Sequence, residues 1–130
     1  MTITKVLVPS GVLGLGFDIE ALNHGIKNKP DIISIDGGST DSGPASLGSG
    51  TSKYSRAAIK SEWKTLMQAR KEANVPLIIG TCGTCGTNSM VDWMEEITIE
   101  LAKELDQSLK ITKLYLSLIH ISEPTRLGMI

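Results

Sequence analysis

The chain has 130 residues, 41% hydrophobic and 21% charged, with a formal net charge of -1. A chain of that size buries one core, so a single domain, or part of one, is expected. The near-neutral charge and the short aromatic set, Trp63, Trp93, Tyr54, Tyr115 and Phe17, supply neither a basic patch nor a stacking platform, which argues against nucleic acid as a partner. No apolar run approaches the ~20 residues that span a bilayer, and Met1 to Lys5 is too short and polar to open a signal peptide. A cytoplasmic protein with no membrane partner is the expectation. Two cysteines, Cys82 and Cys85, are too few for a disulfide scaffold.

In chain order, Lys5 to Val8 is a β-branched run halted by Pro9 and reads as a strand. Asp18 is the N-cap of a first helix through Ile19, Leu22 and Ile26, with Phe17 placed to staple onto Leu22 and Gly25 shortening it. Asp31 to Ile35 is a second strand, entered after Pro30 and stopped by Gly37 and Gly38. The stretch from Asp36 to Ser52 is too rich in Gly, Ser and Thr to be an element and is expected to be a long loop. From about Ser55 to Ala73, Ile59, Trp63, Leu66 and Ala73 share a helical face, and Asn74 with Pro76 ends it. Pro76 to Ile79 is a third strand. Ser89, with Asp92 returning a capping-box bond, opens a helix carrying Met90, Met94, Ile97, Leu101 and Leu105. Ile111 to Tyr115 is expected to be a fourth strand. The first three strands lack the polar alternation of a one-sided sheet, so buried parallel strands fit best. Strand and helix alternate, which predicts an α/β fold: an open, mostly parallel sheet with flanking helices, Rossmann-like and truncated.

Eleven of the thirteen glycines fall after these strands: Gly11, Gly14 and Gly16; Gly37, Gly38, Gly43, Gly48 and Gly50; Gly80, Gly83 and Gly86. Ligands of open α/β sheets bind beyond the carboxyl ends of the strands, and glycine lets backbone N–H groups approach an anion closely. Helix N-termini facing the same rim add partial positive charge. The expected ligand contacts are Ser10 and Gly11 in the first loop, and Gly37, Gly38, Ser39, Thr40, Gly50, Thr51, Ser52 and Arg56 in the second. Gly80, Thr81, Gly83, Thr84 and Gly86 complete the set from the third. Asp36, Asp41 and Lys53 are the candidate catalytic groups, the loops holding no histidine, and His24 reads as a surface helix residue. Asp41, Lys53 and Arg56 have simpler alternatives: Asp41 as a turn residue capping itself, Lys53 and Arg56 as a solvated first helical turn.

The segment DIISIDGGSTDSGPASLGSGTSKYSRAA, followed by PLIIGTCGTCG and a helix containing DW, resembles the acyclic terpene utilisation (AtuA-like) family across most of Lys5 to Tyr115. The resemblance implies part of an enzyme catabolising branched terpenoid acids or related carboxylates, with acyl-CoA thioesters among the ligands and the glycine-rich segments in the active-site region. Members of that family are considerably longer than this chain, so residues 1–115 are expected to be the N-terminal part of an α/β domain. Members also tend to carry small residues where this chain has Cys82 and Cys85, which implies that neither thiol is essential. Leu116 to Arg126, LSLIHISEPTR, resembles a translated sequencing adapter, and residues 116–130 are expected to be a non-native tail. A truncated sheet would leave an exposed edge and a marginally stable fragment.

Three rival readings stay open. Gly11, Gly14 and Gly16 after the first strand, with Asp36 about twenty residues beyond, approximate a dinucleotide-binding unit of an oxidoreductase, although GxxGxG departs from GxGxxG. CGTC between a strand and a helix suits a thiol redox protein if the helix N-terminus activates Cys82. A non-catalytic subunit binding the same anionic ligand is the third. The residues specify no cofactor or metal, and a partner subunit or homo-oligomer is compatible with them.

Overall fold

The computed structural model describes residues 1–38, 42 and 44–115. The elements are β1 (Val6–Leu7), α1 (Ile19–Lys27), β2 (Ile32–Asp36), α2 (Pro44–Ser49), α3 (Arg56–Ala73), β3 (Leu77–Gly80) and α4 (Asn88–Glu104). They form an α/β structure on an open three-stranded sheet in the order β1-β2-β3, both pairings parallel. Val6 lies opposite Ile32 and Leu7 opposite Ile33, while Ile33 to Asp36 run beside Leu77 to Gly80. No helix among the described residues is long and apolar enough to cross a membrane.

Alternation along β2 buries Ile33 and Ile35 in the core, where they meet the apolar side of α3 through Ile59, Trp63 and Leu66. Leu22 of α1 and Met94, Ile97 and Leu101 of α4 complete the same cluster. Burying a side chain of this kind contributes about 1.5–3 kcal/mol, which makes the helix-facing side of the sheet the main source of stability. On the two edge strands Val6 and Ile78 stay 57% and 50% exposed, the exposed edges that a short parallel sheet entails. Charge reinforces the packing of α3 on α4: Glu100 accepts from Arg56 and Lys60, and Glu104 from Lys60 and Lys64.

Helix ends follow local chemistry. Asp18 caps α1 by accepting from the amides of Glu20 and Ala21, and Ser55 caps α3 by accepting from Ala58. Asn74 ends α3 in a left-handed conformation, φ 55°.

The structure departs from the sequence expectation at four places. β1 is shorter than Lys5–Val8: Pro9 has no N–H to carry the ladder past Leu7, while ahead of Val6 the chains stay joined by the Asp31 N–H donating to the Lys5 carbonyl at 2.8 Å. The second loop contains a helix, α2, started by Pro44 at a first-turn position that needs no donor, with the Gly50 amide closing onto the Ser46 carbonyl. Thr87, not Ser89, caps α4: its hydroxyl accepts from the Met90 amide, while the Ser89 hydroxyl pairs with that of Thr87. Asp92 is therefore not a capping-box partner. It pairs with Lys113 and Tyr115, and Glu95 takes Lys113 as well, at 2.6 Å. Those bonds fasten Ile111 to Tyr115 along α4 instead of beside β3, so the expected fourth strand does not form. The tail, 116–130, lies outside the described residues.

Candidate functional site

Because β1, β2 and β3 run parallel, the three glycine-bearing loops leave from one end of the sheet. Hydrogen bonds then join them to one another. The Leu13 amide donates to the Asp36 carbonyl at 2.8 Å, the Gly37 amide to the Gly80 carbonyl at 2.6 Å, and the Thr84 amide to the Gly37 carbonyl at 3.3 Å. The sheet's bonding is thus prolonged into the rim. At Gly38 the approach is so close that a Cβ would overlap the backbone of Thr84.

Between the first two loops lies a hollow of about 410 Å3, lined by Gly11, Val12, Leu15, Asp36, Ser42, Lys53 and Tyr54. It combines one carboxylate, one ammonium and the hydroxyls of Ser42 and Tyr54 with the apolar side chains of Val12 and Leu15. The Asp36 Oδ1 accepts from the Gly38 amide at 3.0 Å, which orients the carboxylate at the end of β2. The Lys53 ammonium donates to the Ser42 hydroxyl at 3.3 Å and stands 6.0 Å from the Tyr54 ring centre. Among the described residues Lys53 makes no salt bridge, whereas Arg56, Lys60, Lys64 and Lys113 all do. Its own backbone N–H donates to the Thr84 hydroxyl at 3.1 Å, so the third loop holds the cation of the second. A larger, shallower depression of about 670 Å3 lies on α1 between Asp18 and Lys27; it gathers no residue from the loops after β2 or β3.

The sequence-derived contacts divide into groups. Gly11, Asp36 and Lys53 come together at the hollow. Gly37, Gly38, Gly80 and Thr84 build the floor that joins the loops. Ser10 and Ser52 close turns on their own backbone, accepting from the amides of Val12 and Tyr54, and the Thr51 hydroxyl pairs with that of Ser49. Arg56 faces α4 and pairs with Glu100 at 2.8 Å instead of reaching the hollow. Ser39, Thr40 and Asp41 lie outside the described residues, as does Gly43.

The third loop is backbone-strained. Thr81, Gly83, Thr84 and Gly86 all have positive φ, and for the β-branched Thr84, at 73° and 3% exposed, that conformation costs about 1–3 kcal/mol. Packing against Gly38 and the bond to Lys53 hold it there.

The amides expected to meet an anionic ligand are mostly committed within the protein. The Gly86 N–H goes to the Cys82 carbonyl, and the Gly50 amide to Ser46. The Gly14 and Gly16 amides donate to the two carboxylate oxygens of Glu62, at 2.6 and 2.7 Å. Nothing in the sequence marks Glu62 as the partner of these amides; its only local signal is its place beside Trp63 and three residues after Ile59, on the flank of the buried face of α3. Asp18 already occupies the first-turn amides of α1, where a dinucleotide pyrophosphate would dock. Cys82 sits in the core cluster, where burial pushes its thiol pKa up, the opposite of the activation that a redox pair needs. Both cysteines are free thiols. Among the described residues no group of three or more His, Cys, Asp or Glu side chains is arranged to hold a metal ion. No protein-family model, curated protein or solved structure matches the chain.

Proposed function

We propose that this chain forms the ligand-binding end of a Rossmann-like α/β enzyme, acting in the cytoplasm on a small anionic ligand of the branched-carboxylate or acyl-thioester class. The observation that carries the reading is the hollow itself, where Asp36 at the end of β2 and Lys53 on the loop that follows it stand together at the carboxyl end of a parallel sheet. Successive parallel neighbours joined through helices support the Rossmann-like assignment.

In this reading Lys53 supplies the charge that meets the ligand carboxylate or thioester oxygen, with the Ser42 hydroxyl beside it. Val12, Leu15 and Tyr54 receive the hydrocarbon portion. Asp36, oriented by the Gly38 amide, accepts a hydrogen bond or a proton from the ligand. The anionic contact therefore passes from the glycine amides to a side chain. The resemblance to the AtuA-like family supports the carboxylate class, whereas the Asp18 cap on α1 weighs against a nicotinamide or flavin dinucleotide.

The test is an amide-resolved magnetic resonance titration of the chain with 3-methylbutyrate, acetyl-CoA and inorganic phosphate. Saturable shifts centred on Gly11, Asp36, Ser42 and Lys53, abolished by Lys53→Met, are expected with the carboxylate. Shifts scattered over the surface, or unchanged in the Lys53→Met variant, defeat the proposal.

A further inference from the structure

Glu62 projects from the middle of α3 onto the loop between β1 and α1. Its Oε2 accepts from Gly14 N–H at 2.6 Å and its Oε1 from Gly16 N–H at 2.7 Å. Both glycines have positive φ, 109° and 86°, and at Gly14 a Cβ would press on the Tyr54 ring. Two near-successive amides turned toward one carboxylate make a concave anion receptor of the kind that binds phosphate in other folds. Here the occupant is the protein's own side chain. The receptor borders the ligand hollow directly, since Gly11, Val12 and Leu15 of the same loop line it, and Tyr54, which packs on Gly14, is another of its walls.

We infer that Glu62 is a specificity-determining residue: by filling the two-amide receptor beside the hollow, it bars phosphate groups from this loop and leaves Lys53 to select a singly charged carboxylate. The inference rests on the ligand reading given above. A phosphate or diphosphate brought to the loop has to displace a carboxylate that already accepts both amides, and until it does so it meets a like charge. A monocarboxylate held by Lys53 needs neither amide. An acyl thioester can enter only acyl end first, with its nucleotide phosphates outside the hollow.

Uniformly 15N-labelled wild-type chain, Glu62→Ala and Glu62→Gln are titrated with pyrophosphate and with acetate, following the amide resonances of Gly14 and Gly16. In the wild type both resonances are expected to stay in place. In Glu62→Ala they move together and saturably with either anion, with Kd at least tenfold lower than for any wild-type response. Acetate replacing the missing carboxylate is a response that a purely structural role would not produce. Glu62→Gln, which keeps one acceptor oxygen and loses the charge, responds between the two, and it decides the matter by the same criteria if Glu62→Ala does not fold. Movement of Gly14 and Gly16 in the wild type with pyrophosphate, or a folded variant that answers to neither anion, overturns the inference. Absence of an acetate response at Ser42 and Lys53 in the wild type instead overturns the ligand reading, so the two failures are distinguishable.

Discussion

The Thr84 hydroxyl accepts the backbone N–H of Lys53 at 3.1 Å, and this bond ties the strained loop after β3 to the one free-standing cation at the hollow among the described residues. Thr84→Val keeps the shape and removes the acceptor, leaving the Lys53 amide unpaired. We expect a loss of about 1–2 kcal/mol in urea denaturation and weaker carboxylate binding. Thr84→Ser should restore both.

Charge at Lys53 should matter to the ligand and little to the fold. Lys53 is exposed and lies in no salt bridge among the described residues, so Lys53→Met should leave the denaturation midpoint nearly unchanged. Carboxylate affinity should fall about tenfold or more, the value of one charge-assisted hydrogen bond of roughly 1.5–3 kcal/mol. Isothermal calorimetry with 3-methylbutyrate measures it, and an unchanged Kd contradicts the assignment.

Gly38 and Gly11 form a contrasting pair. A Cβ at Gly38 meets the Thr84 backbone, which cannot give way as a side chain would, so Gly38→Ala should cost about 1–3 kcal/mol or abolish folding. At Gly11 nothing lies within 4 Å of the added carbon, and Gly11→Ala should leave thermal stability unaltered. Circular dichroism melts of the two variants compare them directly.

Acid should loosen the seam between α3 and α4. Hydrogen bonds from Lys60 and then Arg56 hold the Glu100 carboxyl down from an ordinary 4.5 to about 2. A depressed folded-state pKa contributes stability that is complete above pH 4.5 and disappears as pH falls toward about 2. Because the group is solvent-exposed, added salt should shrink the effect. Glu100→Gln should flatten this part of the stability-versus-pH curve; an identical slope in wild type and variant would sink the attribution.

The thiols should differ in reactivity. Cys82 is buried with a raised pKa, while Cys85 is partly exposed, so iodoacetamide at neutral pH should label Cys85 first. Cys82→Ala should destabilise by about 1 kcal/mol through lost packing alone, without affecting carboxylate binding. Mass spectrometry of the labelled chain gives the order.

Much of the frame was legible because its signals are local. The 3.6-residue spacing of Ile59, Trp63 and Leu66 marks α3, Asp18 and Ser55 mark two helix starts, and the β-branched runs mark three strands. Two hydroxyl residues two positions apart blurred the start of α4, where Thr87 rather than Ser89 has the extended backbone of a cap. Ile111 to Tyr115 has strand composition, but its neighbours were decided by Lys113 reaching Asp92 and Glu95, an ion pairing that composition does not encode. At the site, the gathering of Gly11, Asp36 and Lys53 followed from parallel strands. The commitment of the glycine amides did not, because the partner of Gly14 and Gly16 is contributed by a helix more than forty positions away.

The bonds that carry the sheet's pattern past the strand ends, Leu13 to Asp36, Gly37 to Gly80 and Thr84 to Gly37, have a thermodynamic corollary. A floor already stitched in this way surrenders little conformational freedom when a guest arrives. Association at the hollow should then show a small entropic penalty from the residues of this floor.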